Sequence, residues 1–306
     1  MCYYPEGKLT ETKQNEKYLS SLDMLAEAKR LGIILESRAS MCDSSHNLIV
    51  PLPCAEGIIP REEGAVGIAD GTTKDIALIT KVGKPVCFTV LDIVRSESGA
   101  PLAVLSRRCA QEQCYAGFIS LLRCGDIIPA RITHMEQFGA FVDIGCGLPS
   151  LLPIDVISVS RISHPADRFF VGQEIRVIIK EHSDRRVLLS HKELWGTWEQ
   201  NAARFTVGET VSGIIRSAES YGIFVELAPN LAGLAEMRGD ICAGQSAGVY
   251  IKAIIPEKMK IKLVIVDTQQ AQTRPAFSGY FYTESHISRW KYSPDSCSKL
   301  IETRYD

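Results

Sequence analysis

The sequence lacks an excess of either charge. Its 306 residues carry 34 Lys and Arg against 36 Asp and Glu, a formal net charge of −2. No global basic field therefore draws nucleic acid. That argues against tight, duplex-style phosphate clamping, but not against single-strand binding in a local groove with stacking rings. The ten cysteines include no Cys-x-x-Cys. The nearest pair, Cys109 and Cys114, is too widely spaced for a zinc knuckle. Reduced thiols, mostly buried as small hydrophobes in a cytoplasmic protein, are the expectation. Residues 1–20 are polar and charged, without the apolar core of a secretory signal. No apolar run is long enough to span a bilayer, so no membrane partner is expected. A nucleophile elbow, a metal box and a dinucleotide fingerprint are also missing. Gly145-Cys146-Gly147 is a turn with no Walker lysine after it. His134, His164, His182 and His191 lie on separate elements without ligand spacing. The expectation is a non-enzyme with no metal, no cofactor and no small-molecule substrate.

What is present is a repeat. Phe138-Gly139-Ala140-Phe141-Val142-Asp143-Ile144 returns as Tyr221-Gly222-Ile223-Phe224-Val225-Glu226-Leu227: aromatic, glycine, aliphatic, Phe, Val, acid, aliphatic. The preceding segments, 125–132 and 208–215, match as well. In a strand, successive side chains point to opposite sides. Gly139, Phe141 and Asp143 therefore share a face opposite Ala140, Val142 and Ile144. A large ring on a face with polar neighbours suits base stacking. A shared period outranks any single motif.

Read in order, residues 1–18 are a charged arm expected to be flexible. Leu22, Leu25, Ala26 and Lys29 then stand at helical spacing up to a stop at Gly32. Residues 19–108 comprise this helix and a degenerate copy of the repeat, with His46 and Ile49 where the rings should be. Its reading is a barrel kept for structure or protein contact, with a weakened RNA surface as the alternative. Residues 109–124 are a helical linker capped by Ser106. Residues 125–192 are the best-preserved copy: five short strands with a longer connection between the third and fourth, the mark of a small closed barrel of OB type. Residues 193–207 read as a linker helix with Leu194, Trp195, Trp198, Ala202 and Phe205 as its packing stripe. Residues 208–267 are a shortened third copy. The tail, 268–306, crowds Phe277, Tyr280, Phe281, Tyr282, Trp290 and Tyr292, too aromatic for full disorder, and is expected to form a hairpin docked on the third barrel. The fold class is thus mainly β: tandem five-stranded OB-fold barrels joined by helical linkers.

This repeat resembles the S-one RNA-binding domain, the OB-fold module named after the largest protein of the bacterial small ribosomal subunit. The resemblance is carried by Gly125, the Phe138–Asp143 run, Gly147-Leu148, Val171-Gly172-Gln173 and the closing Leu188-Leu189-Ser190. It covers residues 125–267 and, more weakly, 31–108. The whole chain is similar to short S-one-like bacterial proteins with three modules. The resemblance puts Phe138, Phe141, Tyr221 and Phe224 on the nucleic-acid face. Strict alternation would set Phe138 on the core side, whereas barrel curvature and a bulge at Gly139 would turn it outward. It also adds Asp184 and Arg186, with Arg185 beside them, and Lys258, Lys260 and Lys262 in the equivalent turn and strand of the third copy. Pro153 and Glu236 replace a histidine frequent on the family's third strand, which argues for reduced affinity. Arg131, Arg176, Lys180, Arg185 and Arg186 form either a phosphate-contacting rim or a solvated mixed surface. The implied partners are single-stranded RNA, mRNA in particular, and the small ribosomal subunit. Two rival readings are an RNA-decay or regulatory adaptor, and a protein-interaction module with degenerate barrels.

Overall fold

The computed structural model describes residues 3–96, 98–183, 186–239, 241–269 and 279–305. The chain forms two compact units. One comprises Met1–Leu122 with Pro129–Arg131 and Asp143–Pro149; the other comprises Arg123–Ile128, Ile132–Val142 and Ser150–Asp306.

In the first unit, α1 (Lys13–Leu19) and α2 (Leu22–Leu31) are capped by the Thr12 and Ser21 side chains, and α2 ends at Gly32 in the left-handed region. Leu25 and Ala28 are the buried face of α2, close to the stripe the spacing gives. The six-stranded sheet runs in the order β1-β5-β6-β4-β3-β2, from β1 (Leu35–Arg38), β2 (Met41–Cys42), β3 (Leu48–Pro51), β4 (Glu56–Ile59), β5 (Pro85–Arg95) and β6 (Pro101–Ser106). β1 pairs with β5 and β2 with β3, so two short strands share the place of one OB first strand. A short helix, α3 (Ile76–Ile79), lies before β5, and α4 (Arg107–Gly117) follows β6 with Ser106 as its cap.

The arm before α1 is folded, which corrects the expectation of a flexible segment. Its backbone satisfies the carboxylate of Glu36, which is fully buried in β1. Gly7, Leu9 and Thr10 donate their N–H groups at 2.5, 2.7 and 2.8 Å, and the Thr10 hydroxyl donates at 2.9 Å. A buried carboxylate without donors is costly. Local composition gave no sign of this because the acceptor stands 26–29 residues further on.

Glu6, also buried, is held from several sides. Arg107 donates Nε at 2.7 Å, Lys81 donates Nζ at 2.6 Å, and the Cys87 amide donates at 3.2 Å. Burial alone would raise this carboxyl, but the Arg107 and Lys81 charges and hydrogen bonds outweigh it and bring it down to about 2.

The second barrel is closed, in the order β10-β11-β9-β8-β7, from β7 (Ile127–Glu136), β8 (Gly139–Asp143), β9 (Pro149–Pro153), β10 (Glu174–Ser183) and β11 (Arg186–Ser190). The third repeats that order with β12 (Thr210–Glu219), β13 (Gly222–Ala228), β14 (Leu231–Ala235), β15 (Ser246–Ile255) and β16 (Lys260–Gln269). These are the expected tandem OB barrels. Between them the linker is not one helix. Gly196, at φ 81°, separates a 3-10 turn (Lys192–Trp195) from the short α5 (Trp198–Ala202). Leu194, Trp195, Trp198 and Ala202 are buried all the same.

The tail carries a two-stranded ribbon, β17 (Arg289–Lys291) with β18 (Glu302–Arg304). Trp290, Tyr292 and Tyr305 join one hydrophobic core with Leu194, Trp198 and the interior of the third barrel. The tail reaches the second barrel too. Tyr280 hydrogen-bonds His191 at 3.0 Å, and Arg176 donates to the Tyr282, Thr283 and Glu284 carbonyls. Phe277 lies outside the described residues.

Replacing Glu6 by Gln leaves the buried Arg107 charge uncompensated, at a cost of about 3–5 kcal/mol. The three tryptophans all lie in the other unit, so amide hydrogen exchange at Leu9 and Thr10 is the appropriate measurement. Faster exchange in the variant at neutral pH is expected. The Glu6 carboxyl is depressed, so its contribution is complete above its ordinary value of 4.5 and is lost as pH falls towards about 2. The difference between wild type and E6Q therefore shrinks across that window.

Candidate nucleic-acid interface

The site is built from the turn and strand that open each closed barrel's second hairpin arm. Phe138 and Tyr221 are not strand residues. They sit in the tight turns just before β8 and β13, 56% and 68% exposed. Alternation counted back from β8 would bury Phe138, but the turn breaks the alternation and the ring points to solvent. Gly139 and Gly222 follow for a steric reason. A Cβ on Gly139 would lie 2.6 Å from the Leu152 carbonyl oxygen, and one on Gly222 2.7 Å from that of Ala235. The aromatic-glycine pair thus lets the third strand come close while presenting a ring at the turn.

Phe141 and Phe224 are half-buried on the outer face, and their neighbours Val142 and Val225 fill the interiors. The two barrels repeat one ring geometry. Phe138 and Phe141 meet edge-to-face with centroids 6.0 Å apart, and so do Tyr221 and Phe224. Val142 and Val225 complete the core side without either Phe, which leaves each aromatic pair on the outer surface.

The cations divide. Lys260 and Lys262 alternate outward from Ile261, Leu263 and Ile265 along β16, and Lys262 pairs with Leu234, which pairs with Phe224. Lys258 is exposed in the turn before that strand. Arg186 is exposed at the start of β11. Asp184 and Arg185 lie outside the described residues. Arg131 does not join this group: it is half-buried, with Nη1 donating to the Glu6 carbonyl at 3.1 Å. Arg176 is likewise committed, to the tail carbonyls. Pro153 closes β9 and Glu236 follows β14 where the resemblance looked for histidine.

One ring was missed by sequence reasoning. His134, weighed only for metal or acid-base chemistry and set aside, lies exposed beside Phe141 with centroids 6.3 Å apart and planes 23° apart. Its Nε2 is 2.7 Å from Glu136. The signal was available, since His134 precedes the motif's first ring by four residues. His191 is the opposite case. Fully buried among Phe169, Trp195 and Tyr280, it is held down to about 4 by desolvation and stays neutral.

The recurring acid is structural in both copies. Asp143 accepts the Glu6, Gly145 and Gly147 amides at 2.7, 2.8 and 3.0 Å. Burial, then the charge of Glu6, pushes its carboxyl up to about 7. Glu226 accepts Arg168 at 2.5 Å and Arg216 at 2.7 Å, and Arg216 also reaches Asp167 at 3.2 Å.

Residues 122–192 match the family model of the S1 RNA binding domain. The second barrel is an S1 domain. The curated small ribosomal subunit protein bS1 homolog of Bacillus subtilis is 27% identical over 206 residues, covering 64% of this chain and 51% of that protein. The bS1 protein of Staphylococcus aureus is 30% identical over 183 residues, covering 54% of this chain and 46% of its own length. The chain resembles the bS1 family and spans about half the length of the curated relatives it matches. A solved multidomain protein with nucleic acid binding domains from Streptococcus pneumoniae is 12% identical, covering 76% of this chain and 73% of its own, at a TM-score of 0.24. That likeness is too low to bear on the site. No helix among the described residues is long and apolar enough to cross a membrane.

Phe138 and Tyr221 lie largely outside the packed interior. Phe138→Ser and Tyr221→Ser are expected to leave thermal unfolding within about 0.5 kcal/mol of wild type. Gly139→Ala, by contrast, drives a methyl against the Leu152 carbonyl and is expected to lower the melting temperature by several degrees or more, measured by calorimetry.

Proposed function

We propose that this chain is a non-enzymatic, cytoplasmic binder of single-stranded RNA. On this reading it acts as an S1-type protein on mRNA with the small ribosomal subunit. The observation that carries the proposal is the duplicated ring pair. Two barrels turn the same edge-to-face aromatics outward at the same 6.0 Å spacing, and exposed rings are costly to solubility unless something covers them. Bases stack on such rings with about 1–3 kcal/mol each and little regard to sequence.

The proposed contacts are Phe138, Phe141 and Arg186 in the second barrel, and Tyr221, Phe224, Lys258, Lys260 and Lys262 in the third. Asp184 and Arg185 remain candidates from the resemblance. The six-stranded sheet of the first copy, which is not closed as the expected barrel would be, has no ring pair at the equivalent places among the described residues. His46 stands in a turn at φ 64°, and Ile49 takes the place of the second ring, so that sheet is assigned to scaffolding or protein contact.

The test is binding of fluorescent single-stranded RNA across a salt series. With two or three phosphates neutralised, the slope of log affinity against log salt should lie near about −2, from about −0.7 per phosphate. A slope steeper than about −5 contradicts the picture. The double variant Phe141→Ala, Phe224→Ala should lose binding several-fold or more while remaining folded. Co-sedimentation with small ribosomal subunits separates a role in translation from an adaptor role in RNA decay.

A further inference from the structure

The two ring-bearing barrels present different surfaces across equivalent rows. In the third barrel the row runs Ser217, Phe224, Leu234, Lys262, each opposite the next in the strand register. In the second barrel His134 stacks on Phe141. Leu151, ten positions after Phe141 as Leu234 is after Phe224, pairs with Leu188. A hydroxyl, a ring, an aliphatic and a cation in one barrel thus correspond to a ring, a ring and two aliphatics in the other. Arg186 and Lys260 both begin the last strand, so the difference lies within the rows rather than at their ends.

Building on the RNA-binding reading above, we infer that the two barrels divide the work: the second holds RNA mainly by stacking, with His134 as a third base-contacting ring, and the third adds phosphate charge through Lys262. The imidazole is suited to this. It is exposed, lies nearly parallel to Phe141, and has its Nε2 fixed by Glu136, so its face is already oriented for a base. Ser217 offers no ring in the corresponding place. Lys262 is exposed between Leu234 on one side and Ala253 on the other. Stacking between neutral faces depends little on salt, whereas each neutralised phosphate adds about −0.7 to the slope on single strands.

The experiment uses the full chain and a fluorescein-labelled oligouridylate over a salt series. Phe224→Ala isolates the second barrel and Phe141→Ala the third. In the Phe224→Ala background, His134→Ser should weaken binding about five-fold or more at every salt concentration without changing the slope. In the Phe141→Ala background, Lys262→Leu should make the slope shallower by about 0.7, and Ser217→His should strengthen binding. Amide exchange of the barrel strands checks that each variant is folded. If the ring variants lose binding but His134→Ser binds like its background, or Lys262→Leu keeps the slope, the division of work is wrong while RNA binding stands. If the unmodified chain does not bind at low salt, both ideas fall.

Discussion

A buried carboxylate has to be given donors, and much of this protein is arranged to supply them. Asp143 and Glu226 stand at the same place of the repeated run in two barrels, on the second strand, and both are withdrawn from water. Asp143 takes three backbone amides. Glu226 takes two arginines, and one of them, Arg168, comes from the loop that precedes the fourth strand of the barrel before it. Two buried carboxylates of the first unit follow the same rule: Glu36 collects the arm's amides and Glu6 collects Arg107 and Lys81. Removing one partner of such a set leaves the other charge buried, which is why these contacts constrain the structure more than exposed pairs such as Arg30 with Glu27.

With the acid committed to structure, the other residues of the repeated run are free for the surface. Glycine permits the close strand approach, valine fills the interior, and the two rings are left outside. A run of seven residues thus builds the barrel's close strand approach and its core while presenting two rings outside. The consequence is a clean separation. Substitutions at the glycine or the acid act on the barrel, whereas the rings are the residues of the run that the proposed RNA contact uses.

Between the second and third barrels the chain is held by more than a linker. Asn230 is fully buried, donating to the Lys192 and Gly196 carbonyls and accepting the Val159 amide. The Tyr292 hydroxyl donates to the Asn230 carbonyl at 2.6 Å. Trp290, Tyr292 and Tyr305 are buried in the same core, so these rings are packed rather than presented as a further stacking surface. Tandem barrels fixed in this way can raise apparent affinity through effective concentration without strong individual sites.

The sequence by itself determined the repeat, the five-strand barrels, the helix stop at Gly32, the Ser106 cap and the ring positions. Each of these depends on local spacing or on a duplicated run, and both are visible along one dimension. It did not determine the fate of the arm, the break at Gly196, the outward turn of Phe138 or the loss of Arg131 and Arg176 to internal partners. The Gly196 break and the Phe138 turn were decided by local backbone conformation, and the arm and the two arginines by groups distant in the chain. The Glu36 carboxylate ordered the arm, the tail carbonyls took Arg176, and the Glu6 carbonyl took Arg131. His134 stands between the two: its place four residues before Phe138 is visible in the sequence, but its stacking on Phe141 is set by the folded strands. A side chain's type fixes what it is able to bind, but the folded neighbours decide whether that capacity is already used, since each donor and ring face is filled by whichever group the tertiary structure brings nearest.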